Sequence, residues 1–448
     1  MTTPPGLSAS WVVRTLDSAA FAQAFAHTAI AAVFAQHLVD RTAGRVTWFT
    51  VIAGLCAVGA AVLLVRRREF TLVRLIPSTL VLFLGWALAS VTWTTDTSGT
   101  VSGWLALAAI AFLAVVIANT RDTLQTVRAL ADVFRVLLVL SLLLELLSGV
   151  FFDMPFTFLG IEGDIAALGP VQGIFGTRNS LGFIAVLALI TFYIEWRTVS
   201  VRTGVSLFSA VLAALLAALS DSPTVLVLAV ATAVATAALG LVRRTPRALR
   251  RTVQSVLGAT VIVSAMVGYL LRERIIAWIG AGTDFSIRAE LWDQVASFVR
   301  VEPVRGWGWF GAWSRTDFPF NAINFALGDR HSSALNAYVD VVLQLGWVGL
   351  LIFIAFAGLA LGRAWLVASE RRSILYAWTP LILVTVLVDA LFESFPLHGY
   401  GWLMLVLCAL RAGQSKSWRE NIRDAARPGS PAAGLPDDTS TGTHGIAR

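Results

Sequence analysis

Charge is scarce in this sequence. Only 14% of its 448 residues are Asp, Glu, Lys or Arg, against about 25% in an ordinary soluble domain. That deficit excludes a soluble enzyme, a disordered protein and a nucleic-acid binder. Cysteine is scarcer still. Cys56 and Cys408 both lie inside apolar stretches and form no spacing pattern, so there is neither a disulfide framework nor a cysteine metal site. The chain has no Walker loop, which argues against ATP as a driving ligand. It has no His-Glu-x-x-His motif, so a catalytic metal has no support. No cleavable signal peptide is evident: the first apolar block starts near Ala19 and runs straight into another. Internal repeats and coiled-coil patterns are absent as well.

What the chain does have is apolar length. It is 57% hydrophobic, with a mean hydropathy of +0.76. The apolar residues fall into twelve blocks: 19–37, 47–65, 73–93, 101–118, 130–150, 178–195, 204–219, 224–242, 253–271, 335–361, 374–393 and 400–412. A bilayer-spanning helix needs about 17 to 25 such residues. In lipid only helices and closed barrels satisfy their own backbone, and continuous rather than alternating blocks select helices. The expected fold is therefore all-α: a polytopic membrane protein with about twelve transmembrane helices.

The loops set its direction. One set carries arginine clusters: Arg66, Arg67, Arg68 and Arg74; Arg121 and Arg128; Arg197 and Arg202; Arg243, Arg244, Arg247, Arg250 and Arg251; Arg363, Arg371 and Arg372. The alternate short loops hold Asp96, or Asp153, Glu162 and Asp164, or Asp221. Positive charge marks the cytoplasmic side, so the net charge of +7 reads as topology, and both termini are expected in the cytoplasm. Residues 1–412 form one membrane unit. Residues 272–334 are one long external loop, and 413–448 a polar, disordered cytoplasmic tail.

The long loop breaks the charge rule. It holds Arg272, Arg274, Arg288, Arg300, Arg305, Arg315, Arg330 and His331. A polyanion at the membrane surface is one reason, because arginine grips phosphate with a planar fork. The alternative is that loops longer than about 60 residues escape the rule. Seven acids, Glu273, Asp284, Glu290, Asp293, Glu302, Asp317 and Asp329, are available to pair these cations. Within the loop, 284–301 reads as an amphipathic helix. Ile287, Leu291, Val295, Phe298 and Val299 recur at helical spacing and Pro303 stops it. Arg288 and Trp292, four apart, share a face. Trp307, Trp309 and Trp313 follow among glycines, suited to a sugar face or to plain anchoring at the interface.

Four further positions stand out. Arg178, at the external start of the sixth block, is either a functional cation or a snorkelling one. Ser220-Asp-Ser-Pro-Thr224 offers hydroxyls and a helix N-terminus to an anion, or simply a cap from Ser222. His331 is the loop's one histidine, a candidate general base or an exposed side chain. Asp389 and Glu393 sit four apart near the external end of the eleventh block, where buried carboxylates suggest a polar cavity or a partner arginine, or where Glu393 merely reaches the headgroups.

Across roughly 170–350 these residues resemble the O-antigen ligase and polymerase superfamily, membrane glycosyltransferases that use undecaprenyl-diphosphate-linked glycans. Gly173-x-Phe175-x-x-x-Asn179, with Arg178 where relatives often carry a cation or proline, is similar to one family element. Ser220-x-Ser222-x-Thr224 is similar to its serine-rich turn. Arg288-x-x-x-Trp292, then Pro303, Gly306 and Gly308, resembles its most specific element. Asn336 and Gly346-x-x-Gly349 fit a fourth. Here, however, Leu335 stands where the family has histidine, and His331 lies one helical turn upstream, where it could present its ring on the same face as Leu335. Ile287 also replaces a glycine common before the arginine.

The resemblance implies a metal-free, cofactor-free inverting transfer. Arg288 and Arg178, with Arg305 as an auxiliary, would steady the charge growing on the diphosphate. His331 would take the acceptor proton. Asn179, Ser222, Trp292 and Asn336 would bind substrate. The implied partners are an undecaprenyl-diphosphate-linked glycan donor, a glycan or lipid acceptor and membrane lipid, in a bacterial plasma membrane, with no nucleic acid. Ligase and polymerase differ only in acceptor. The competing readings are a flippase of such lipids, which would place charges mid-membrane in broken helices or inverted repeats, and a scaffold, which would need no external arginines.

Overall fold

A computed structural model describes residues 7–67, 76–271, 274 and 282–414. Arg68, Arg74, Arg272, Glu273, the Asp284 side chain and, of the expected tail, 415–448 lie outside the described residues. The described chain is helical throughout, with one isolated bridge between Phe156 and Ile161. In order the helices are α1 (Leu7–Asp17), α2 (Ala19–Phe34), α3 (Gln36–Thr42), α4 (Arg45–Val65), α5 (Ser78–Ala89), α6 (Thr97–Thr120), α7 (Thr123–Leu146) and α8 (Arg178–Arg197). Then come α9 (Thr203–Leu219), α10 (Pro223–Arg244), α11 (Arg250–Leu270), α12 (Gly282–Val301), α13 (Phe320–Leu327), α14 (Ala337–Glu370), α15 (Leu375–Asp389) and α16 (Gly399–Gln414).

Apolar runs supply the helices and short polar side chains start them. Asp96 accepts from the Ser98 and Gly99 amides at 3.0 and 2.9 Å before α6. Asp122 and Gln125 form a reciprocal capping box before α7. Thr177 accepts from the Ser180 amide at 3.1 Å before α8, and Asn336 from those of Tyr338 and Val339 before α14.

Each of the twelve predicted blocks contains helix, but twelve crossings do not follow. Among the described residues seven helices are long and apolar enough to cross a membrane: α4, α6, α7 with its extension to Phe151, α8, α10, Arg247–Gly268 around α11, and α14. Helices α2 and α3, bent by 68° at their junction, make an eighth if they are one span. Ser78–Thr92, α9 and α15 are apolar but shorter. At 1.5 Å per residue a helix of about 15 residues rises about 22 Å, short of the roughly 30 Å hydrocarbon layer. Hydropathy alone merged such helices with their flanking turns. Residues 390–393 of the eleventh block, for example, lie beyond the end of α15.

Two arginines hold helix ends, one of them Arg243, which the sequence reads as a topology marker. Arg411 donates to the Ala118 and Arg121 carbonyls at 3.2 and 2.7 Å and to the Thr126 hydroxyl at 2.7 Å. Arg243 donates to the carbonyls of Ala368, Arg371 and Ser373 at 2.6–2.8 Å. Both satisfy carbonyls that the last turns of α6 and α14 leave without helical partners.

At the opposite ends of these helices the 282–334 segment builds a small core of its own. Leu291, Val295, Phe310, Trp313, Phe320, Ile323, Ala334 and Leu343 cluster there. The amphipathic helix forms as α12, with Leu291 and Val295 buried, although Ile287 stays 43% exposed. Helix α14 breaks at Gly346 (φ 69°), and the break opens its backbone to the segment after α12. Trp307 and Gly308 donate to the Leu343 and Gln344 carbonyls at 3.1 and 2.8 Å, and Trp347 donates to the Pro303 carbonyl at 2.9 Å. A Cβ on Gly346 would run into the Val304 carbonyl, and one on Gly306 into Gln344. The Pro-x-x-Gly-x-Gly and Gly-x-x-Gly elements therefore meet as one backbone seam.

Arg411→Ala removes four hydrogen bonds from a guanidinium, each worth about 1.5–3 kcal/mol. It should lower the melting midpoint in detergent by clearly more than Arg128→Ala, which removes one bond to Ser200.

Candidate functional site

Arg288 and Trp292 lie one turn apart on α12 and grip consecutive carbonyls. Trp292 Nε1 donates to the Ala334 carbonyl at 2.9 Å. Arg288 donates to the Leu335 carbonyl at 2.7 Å, and also to that of Phe392. Leu335 presents its carbonyl from a left-handed conformation (φ 50°). The other arm of Arg288 donates to Glu393 Oε1 at 3.1 Å. The two side chains are only 12% and 8% exposed, so water screens the pair little.

Glu393 is a junction. Its Oε1 also accepts from Asn179 Nδ2 at 2.6 Å, at the start of α8. Asn179 Oδ1 in turn accepts from the Ser222 hydroxyl at 2.6 Å. Ser222 occupies the N-cap position of α10, yet its side chain caps nothing. Its hydroxyl is spent on Asn179, which displaces the simple capping role open from sequence. Arg178 donates to the Asp221 carbonyl in the same turn at 3.3 Å.

A second layer supports the first. Asn336, besides capping α14, donates from Nδ2 to the Leu391 carbonyl at 2.9 Å. Ala337 donates its amide to the Ala390 carbonyl at 2.8 Å. Asp340, buried one turn into α14, accepts from Trp313 Nε1 and the Ser394 hydroxyl, both at 2.6 Å, from the Ala334 amide at 3.2 Å and from Gln344 Nε2 at 3.2 Å. It ties the 313 and 334 segments to the turn that carries Glu393. Asp389, one turn before Glu393, is also buried. Neither of its oxygens has a hydrogen-bond partner among the described residues.

Five of the sequence-derived site residues thus share one framework: Arg288, Trp292, Asn179, Ser222 and Asn336, with Arg178 beside it. Two lie apart. Arg305 is half-exposed and paired with Glu302 at 3.0 and 3.2 Å. That hydrogen bond holds the Glu302 carboxyl below its usual range. His331 contacts Asp329 at 3.6 Å, and its backbone is bracketed by Asn324. The expectation that His331 and Leu335 share a helical face is corrected. Helix α14 begins only at Ala337, and Leu335 has a left-handed backbone, so helical spacing does not apply.

Three residues in this framework were not assigned to the site from sequence. Glu393 and Asp389 carried a signal, as carboxylates in an apolar block wanting a partner. Asp340 carried the same signal, as an acid in the first turn of an apolar helix. The role of the Leu335 carbonyl left no trace in residue type.

Removing one member of a buried ion pair strands the other, at about 3–5 kcal/mol. Glu393→Ala should therefore lower thermal stability in detergent strongly. The Arg288→Ala, Glu393→Ala double variant should lose less than the sum of the singles.

A sequence comparison with curated proteins returns no match. A family model described as O-antigen ligase matches residues 208–354. That stretch holds Ser222, Arg288, Trp292, Arg305, His331, Asn336 and the Gly346 seam, while Asn179 and Glu393 lie outside it. The match supports membership of the chain in the O-antigen ligase superfamily.

Proposed function

We propose that the protein is a membrane glycosyltransferase. It moves a glycan from an undecaprenyl-diphosphate-linked donor to an acceptor hydroxyl at the external face of a bacterial plasma membrane. The family match supports glycosyl transfer. The observation that carries the site is the hydrogen-bonded chain Ser222–Asn179–Glu393–Arg288, which joins four segments distant in sequence.

In this reading the leaving group is already activated, and the protein's task is electrostatic. As the sugar C1–O bond breaks, negative charge grows on the diphosphate. Arg288, held by Glu393 and two carbonyls, is oriented before substrate arrives, so little reorganisation is needed during the reaction. Arg178 adds a second cation from the neighbouring turn, and Arg305 an outer, solvent-facing one. Asn179 and Ser222 keep Glu393 in place, and Trp292 and Asn336 fix the backbone that Arg288 grips. His331, beside the Asp329 carboxylate, takes the proton of the acceptor hydroxyl as that oxygen attacks C1. Attack in line with the departing diphosphate inverts the anomeric centre. Positively charged loops at the other end of the bundle support cytoplasmic termini, with residues 1–412 as the membrane unit and 413–448 as the tail.

Purified protein in liposomes, given undecaprenyl-diphosphate oligosaccharide and an acceptor mixture in EDTA, should make transferred or lengthened glycan. Loss of one preorganised donor costs about 10²–10³ in rate, and Arg288→Ala should fall in that range. Arg305→Ala should lose about tenfold or less, as expected for an exposed charge. Movement of the lipid across the bilayer without any product would favour a flippase instead.

A further inference from the structure

Two cavities lie around the 310–330 segment, beside the framework that holds Arg288. One, of about 400 Å³, is lined by Arg315, Asn321, Asn324, Phe325, Asp329 and Arg330. The other, of about 490 Å³, is lined by Arg45, Ser102, Phe310, Trp313, Arg315 and Asp317. Both fall within the roughly 300–1,000 Å³ of small-ligand pockets, and they share Arg315. Arg288 and Arg305 are each paired with a carboxylate. Arg315, by contrast, is exposed and makes no hydrogen bond or ion pair among the described residues.

We infer that this groove is a saccharide subsite, holding units of the acceptor glycan beside His331. The inference rests on the transferase reading above.

The lining chemistry favours a sugar over an anion. Each cavity holds arginine and a carboxylate together, Arg330 with Asp329 and Arg315 with Asp317. A phosphate would be repelled by the carboxylates. A polyol, which both donates and accepts, is served by guanidinium, carboxylate and amide alike. Phe325 is 90% exposed at the first cavity, an apolar plate of the kind that packs on the C–H face of a sugar ring.

Position assigns the groove to the acceptor. Asn324 brackets the His331 backbone at 2.9 and 3.0 Å, and Asp329 lies 3.6 Å from its ring, so two lining residues are neighbours of the base. On the other side, Trp313 donates to Asp340, which also takes the Ala334 amide. The next residue, Leu335, gives its carbonyl to Arg288. The lining is thus tied on one side to His331, through Asn324 and Asp329, and on the other, through Trp313 and Asp340, to the backbone that Arg288 grips.

The test uses the full chain in detergent or liposomes. The probe is lipid-free oligosaccharide released by mild acid from the producing cell's polyprenyl-diphosphate pool. Lacking the diphosphate, it can act only as an acceptor. Arg315→Ala removes the shared cation, and Phe325→Ala removes an exposed ring whose loss leaves the fold intact. Each should weaken probe binding and raise the acceptor KM about tenfold, the effect of one lost charged or stacking contact, with kcat and donor KM within about twofold. Unchanged binding in both variants, or a rise confined to the donor KM, would overturn the proposal. Failure of the transferase reading is separate: wild type would then make no product, while the binding titration still decides whether the groove holds sugar.

Discussion

The buried ion pair between Arg288 and Glu393 is the constraint on which the loop end of the bundle depends. Its partners are 105 residues apart, so it fastens α12 to the turn after α15. A guanidinium out of water needs partners, and here Glu393 and two backbone carbonyls take three of its five N–H groups. One of those carbonyls requires Leu335 to adopt a left-handed backbone, a strain of about 1–2 kcal/mol. That cost is tolerated because the surrounding bonds over-determine the position. The carboxylate is likewise shared with Asn179, whose oxygen is shared with Ser222. Each member keeps its place through the others.

Such a pair is a weak source of net stability, since desolvating two charges offsets most of their attraction. Its value is in placement. An arginine fixed by a carboxylate and two carbonyls is a cation of known position before any substrate binds. In the function proposed above, that position meets the negative charge of the donor's diphosphate. The glycine seam between 303–308 and the break in α14 performs the matching mechanical task. It seats the segment after α12 on a membrane helix through backbone bonds alone, at a spacing that tolerates no side chain at Gly346 or Gly306.

Much of this was legible in residue order, for reasons that differ from place to place. The four-residue spacing of Arg288 and Trp292 told that both reach one side of α12, because helix geometry is local. The helical class followed from apolar runs, which is also a local property. The number of crossings did not follow, since hydropathy fails to distinguish a helix from a helix plus its turn. The partner of Arg288 was out of reach for the opposite reason: it lies on a distant segment, and only packing decides which of seven loop acids or two helix-end acids it meets. Ser222 looked like a cap because caps are local, and it is diverted by a tertiary bond to Asn179. His331 was placed beside Leu335 by assuming a helix that begins only at Ala337.

The central claim is that Arg288 receives the donor's diphosphate. The direct measurement is the affinity of undecaprenyl diphosphate, without glycan, for purified wild type and Arg288→Lys, by titration in detergent. Lysine keeps the charge but loses the planar fork that answers Glu393 and two carbonyls together. If Arg288 holds the diphosphate, the variant should bind about tenfold or more weakly, the loss of one charge-assisted hydrogen bond. Equal affinity in the two proteins would contradict it and send the search for the diphosphate site elsewhere in the bundle.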